Sequence, residues 1–140
     1  MKRQELKCAI ESRLDRESGV QVHPLGHQAK YANRYVLRSE SGVKIELMFQ
    51  KDERSPVNLW VKKAFVEELL DDPLVGMPLD YKISSASKLY KTIGKNGEKQ
   101  YGRHTGLKSM PQLGEADLVC FVLFDMNSLD RILETLKRVK

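Results

Sequence analysis

Residues 118–140, LVCFVLFDMNSLDRILETLKRVK, decide the fold. The first seven, Leu118 to Phe124, are apolar at every position. A strand with a solvated face would alternate, so this one belongs in the middle of a sheet, covered on both sides. Behind it Leu129, Ile132, Leu133, Leu136 and Val139 recur at helical spacing, a single stripe that must pack on something flat. Asn127 or Ser128 is the expected cap of that helix. Asp130 lies in its first turn and Lys137, Arg138 and Lys140 in its last, as the helix dipole favours.

Upstream, Leu6, Ala9, Ile10 and Leu14 predict a helix over residues 2–17, stopped at Ser18-Gly19. A short strand over 20–22 and an irregular stretch broken by Pro24 and Gly26 come next. A hairpin then pairs 35–38 with 43–50 around Ser39-Glu40-Ser41-Gly42. In its second strand Val43, Ile45, Leu47 and Phe49 alternate with Lys44, Glu46, Met48 and Gln50, the mark of a half-buried strand. A charged loop over 51–56 leads to a strand over 57–61 carrying Trp60, assigned to packing. A helix over 64–70 is closed by Asp71-Asp72-Pro73, because the residue before proline avoids the helical region. A connector over 74–79 holds Gly76 and Pro78, and 109–115 reads as turns. The expectation is one α+β domain over residues 1–140: a mostly antiparallel sheet of five or six strands with N- and C-terminal helices on one face. Strand order is not legible.

The chain has 140 residues, 41% hydrophobic and 31% charged, ordinary for a globular domain. Its longest apolar run is the seven residues from Leu118, far short of the ~20 needed to span a bilayer. The start, MKRQELKCAIESRLDRE, lacks the apolar core of an export signal, so a cytoplasmic location and no membrane partner are expected. Cys8 and Cys120 are expected to be buried free thiols.

Charge is distributed unevenly. Residues 82–108 carry seven Lys/Arg against the single acid Glu98, whereas residues 1–81 balance thirteen against thirteen and 109–140 hold four against five. The net charge of +5 therefore comes from one segment. Within it, KLYKTIGKNGEKQYGRHTGLK (88–108) reads as two strands joined by Asn96-Gly97, the dipeptide suited to a two-residue type I′ turn. That turn would set Ile93 opposite Gln100 and Thr92 opposite Tyr101. One face would then carry Lys88, Tyr90, Thr92, Lys99, Tyr101 and Arg103. The other would turn Leu89, Ile93, Lys91 and His104 toward the core.

Lysines and an arginine neutralise phosphates, tyrosine rings stack on bases, and a two-stranded ribbon fits a major groove. The expected role is nucleic-acid binding by Lys88, Tyr90, Lys91, Lys95, Lys99, Tyr101, Arg103, His104 and Lys108. The same surface would serve an inhibitor or accessory factor that docks on an acidic protein partner. Gly102 to Lys108 reads as an anion pocket or as a simple strand exit.

Other constellations are weaker. His23 and His27 are four apart, but Pro24 argues against the helix that chelation would need. Glu40, Glu46, Asp52 and Glu53 suggest a metal-dependent nuclease centred on Glu46 with His104, yet methionine stands where a Glu-x-Lys motif has its lysine. No phosphate loop, dinucleotide fingerprint or nucleophile elbow occurs. The sequence thus assigns no catalytic residue, no metal site and no cofactor.

Overall fold

A computed structural model describes residues 2–70, 79–90, 92–93 and 95–140. The expected helix stop at Asp71-Asp72-Pro73 and the glycine and proline at 76 and 78 lie outside the described residues. In chain order the elements are α1 (Arg3–Arg16), β1 (Val20–Val22), β2 (Ala32–Arg38), β3 (Lys44–Gln50), β4 (Asn58–Lys62), α2 (Glu67–Leu70), β5 (Asp80–Ser84), β6 (Thr92–Ile93), β7 (Lys99–Gln100), α3 (Thr105–Lys108), β8 (Leu118–Val122) and α4 (Met126–Lys137). Six strands form one antiparallel sheet in the order β1-β2-β3-β4-β8-β5, and β6 and β7 form a separate pair. The fold is the expected α+β class.

The apolar stripes of α1 (Leu6, Ile10, Leu14) and α4 (Leu129, Ile132, Leu133, Leu136) meet Tyr35, Leu37, Ile45, Leu47, Phe49, Leu59, Val61, Val119 and Phe121 on one face of the sheet. Full burial of each such side chain stabilises the fold by roughly 1.5–3 kcal/mol. Ions link the two helices. Arg13 Nε donates to Glu17 Oε2 at 2.5 Å, its Nη1 meets Asp130 Oδ1 at 2.6 Å, and Lys137 Nζ also reaches Glu17. The α4 cap is Asp125, whose carboxylate accepts from Ser128 N at 2.8 Å. That displaces the expected cap by two or three residues, because the helix begins at Met126 and an ionised carboxylate answers its free N–H groups.

The opposite face is covered as well. Leu107, Met110 and Leu113 pack on Ala32, Met48 and Leu118, with Trp60, Tyr101 and Ala116 at the margin. Residues 101–116 are therefore a second layer, within which 109–116 run in turns and bends as expected. This corrects the reading of β3, whose Glu46, Met48 and Gln50 are buried like their apolar neighbours. It also explains why β8, between β4 and β5, is apolar at every position.

A further correction concerns Cys8, which is exposed while Cys120 is buried. Cys8 sits off the Leu6–Ile10–Leu14 stripe of α1. Its neighbour Lys7 is buried instead, donating its ammonium to the carbonyls of Asp52 and Ser55 and so pinning the 52–55 loop. Among the described residues no helix is long and apolar enough to cross a membrane.

Candidate functional site

The basic segment begins on β5, a strand the sequence analysis did not assign. β5 is the outer strand beyond β8, with Lys82 opposite Cys120 and Ser84 opposite Leu118. Side chains two apart share a face, so Lys82 and Ser84 project from the side that residues 101–116 cover. A 3-10 turn over Ala86–Lys88 follows, with Ser85 capping it and Asp117 accepting from Ala86 N at 2.7 Å. Lys88 is thus on a helical turn, not a strand, and is exposed.

The ribbon itself is short and its register differs from the expected one. Thr92 pairs with Gln100 and Ile93 with Lys99, one residue away from the two-residue turn. A type I′ turn needs positive φ at both central positions. Here Gly97 has φ of +77° and no other residue type among those described has positive φ, so a longer loop joins the strands. A slip of one residue exchanges the two faces of a strand. Ile93, expected against the core, is 68% exposed. The physical reason is that β6 and β7 form their own sheet, so no buried apolar face holds the expected pairing.

Arg103 is the second correction. Its guanidinium is buried and surrounded by acceptors of the chain. Nε donates to Ser84 Oγ at 2.7 Å, Nη2 to Ser84 O at 2.8 Å, and Nη1 to Leu113 O at 3.3 Å and Gly114 O at 3.4 Å. Five donors in a rigid fork suit such a set of carbonyls. Arg103 therefore clamps the ribbon's base to β5 and to the layer over the sheet. Tyr101 does likewise, its hydroxyl donating to Gly114 O at 2.6 Å, with burial pushing the phenol up from its usual pKa. Gly102 N donates to Leu89 O at 2.7 Å, and a Cβ on Gly102 would stand 3.1 Å from that carbonyl.

The outward set consists of Lys82, Lys88, Tyr90, Lys95 and Lys108. None of these lysines has a carboxylate partner among the described residues. The ring of Tyr90 is 39% exposed and leans on that of Tyr101, with centroids 6.0 Å apart and planes at 60°. Lys91 lies outside the described residues, as does the side chain of Lys99. His104 caps α3, its Nδ1 accepting from Gly106 N at 2.9 Å. That bond leaves the proton on Nε2, and burial holds the imidazole below its ordinary pKa. Lys82 is the site residue that sequence reasoning missed. Its signal was present in the charge of the segment, but its position beside Ser84 exists only once β5 pairs with β8.

The nuclease reading meets an occupied carboxylate. Glu46 Oε1 accepts from Gln112 N at 2.6 Å and Leu113 N at 3.0 Å, and Oε2 faces His23 Nε2 at 2.5 Å. Glu46 is an anchor for residues 109–116. His27, the other histidine of the spaced pair, accepts from Arg34 N at 2.9 Å through Nδ1 and stacks edge-on against Tyr35. Among the described residues no group of three His, Cys, Asp or Glu gathers to hold a metal. No family model, curated protein or solved structure matches the chain.

Proposed function

We propose that this protein binds nucleic acid through the cationic ribbon at the β5 side of the sheet. Lys82, Lys88, Lys95 and Lys108 take phosphates, joined by Lys91 and Lys99 of the same segment. Tyr90 offers its ring to a base, with Tyr101 behind it. The observation that carries this reading is the isolation of charge. The whole net charge resides in residues 82–108, and the lysines described there point to solvent with no acidic partner. Arg103 and Tyr101 support it from beneath, since they fix the ribbon's base and leave its tip free to meet a ligand.

Phosphate binding releases condensed counterions, so about five contacts should lose on the order of 10² to 10³ in affinity between 50 and 200 mM salt. The experiment is fluorescence anisotropy with a labelled single strand and the matching duplex, on the native chain and on Lys82→Glu/Lys88→Glu/Lys95→Glu. An isotherm indifferent to salt, or unchanged in the triple variant, overturns the proposal. Co-purification after nuclease treatment gives the competing outcome: an acidic protein that remains bound would reassign the same surface.

A further inference from the structure

At the opposite side of the sheet, β2 and β3 set Arg38 directly across from Lys44. Both are exposed, and neither has a carboxylate partner among the described residues. Like charges at facing positions repel, so the sheet is weaker for having them there. Both line a groove made of two adjoining hollows of about 410 and 420 Å³, which share Pro24, Val36 and Lys44. The floor is apolar: Val36 lines it with Pro24, Leu25 and Pro111, and Leu25 is 44% exposed. The one acid in the lining, Glu46, already has both oxygens occupied.

The rim is the outermost strand, β1. Arg38 N donates to Gly19 O at 2.8 Å and His23 N to Arg34 O at 2.9 Å, so the backbones of residues 19, 21 and 23 face β2. Alternation turns those of Val20 and Val22 outward. Val20 N donates back to Glu17 O, which leaves Val20 O and both backbone groups of Val22 on the open side.

We propose that this groove docks an extended acidic peptide segment of a partner protein. An added strand would bond the free edge of β1, point a bulky apolar side chain past Gln21 toward Val36, and offer Asp or Glu to the long side chain of Arg38, with Lys44 behind it. Charge selects this occupant. A second copy joined two-fold through the same edge would bring further cations to the groove and no free carboxylate from its own lining. Nucleic acid would find two cations over an apolar floor whose one aromatic ring, the His23 imidazole, is buried and bonded to Glu46.

The proposal stands apart from the ribbon and is tested apart from it. Random nonapeptides displayed on phage are selected on the immobilised native chain and, in parallel, on Arg38→Glu/Lys44→Glu. Both sites of substitution are exposed, and circular dichroism checks that the variant is folded. The expected result is enrichment, on the native chain only, of an aliphatic or aromatic residue flanked by Asp or Glu. A synthetic peptide of the enriched sequence should bind at least about ten-fold more weakly to the double variant. It should also weaken on Val22→Pro, which removes an outward N–H and no ladder bond. Enrichment of basic or neutral sequences, equal enrichment on the double variant, or full binding to Val22→Pro overturns the proposal. So does a dimer in sedimentation equilibrium that the double variant disperses, or oligonucleotide binding that the double variant abolishes.

Discussion

The imidazole of His23 and the carboxylate of Glu46 meet at 2.5 Å beneath the segment that closes the second face of the sheet, with only 6% and 7% of the two residues exposed. His23 Nδ1 accepts from Leu25 N at 3.0 Å, so Nε2 carries the proton that is donated to Glu46. Every acceptor and donor in the cluster is matched. Glu46→Gln keeps the shape but turns an amide N–H₂ toward the Nε2 proton or toward the two backbone N–H groups, whichever way it flips. The expected cost is about 2–3 kcal/mol, or roughly 5–10 °C in Tm for a domain of this size, read by calorimetry.

Tyr90 and Tyr101 separate ring from hydroxyl. If Tyr90 stacks on a base, Tyr90→Phe keeps nucleic-acid affinity and Tyr90→Ala weakens it by about 1–3 kcal/mol with no loss of stability. Tyr101→Phe should do the reverse, removing the bond to Gly114 O and about 1 kcal/mol of stability while its ring still backs Tyr90. Anisotropy titrations and thermal melts on the three variants check the pattern.

Gly114 has no room for a side chain. A Cβ there would stand 2.9 Å from the carbonyls of Lys108 and Met110 and 3.1 Å from that of Leu107. Backbone yields less readily than a side chain, so Gly114→Ala should destabilise by about 2 kcal/mol or more. Because Gly114 O accepts from both Tyr101 and Arg103, the variant should also loosen the ribbon, seen as faster amide exchange over residues 99–104.

Acid should unfold the protein in two stages. Burial holds His27 and His104 below their ordinary value of 6.5. The unfolded chain therefore binds more protons below about pH 6.5, and stability falls as pH drops through that value. Glu17 is held below its ordinary 4.5, chiefly by the Arg13 hydrogen bond and then by Lys137. Its contribution is present above 4.5 and is lost as pH falls further. Tm should thus decline from pH 7 to 5 and again below 4.5. His104→Asn, which keeps a side-chain acceptor for Gly106 N, should shrink the first stage to the share that His27 supplies.

The two cysteines should separate on labelling. Cys8 is exposed, whereas burial pushes the Cys120 thiol up to about 12. Thiolate is the reactive form. A maleimide should modify one thiol in the native protein and the second only in denaturant, as counted by mass spectrometry. Two rapid modifications would contradict the burial of β8.

Periodicity alone was enough for the helix stripes of Leu6–Leu14 and Leu129–Leu136 and for the doubly covered strand at Leu118, because burial of those side chains follows from spacing; the alternation in β3 placed its core face but not the cover over Glu46, Met48 and Gln50. The α+β class and the concentration of charge in residues 82–108 were likewise written in the chain. Spacing could not show that residues 101–116 lie over the second face, since their hydrogen bonds to β3 and β5 join positions tens of residues apart. Nor could it divide the ribbon's cations. Arg103 and Lys88 look alike as letters, but only tertiary contact surrounds one with carbonyls and leaves the other in water. Local pattern fixes what a side chain prefers; where it can find its partners depends on how distant segments meet.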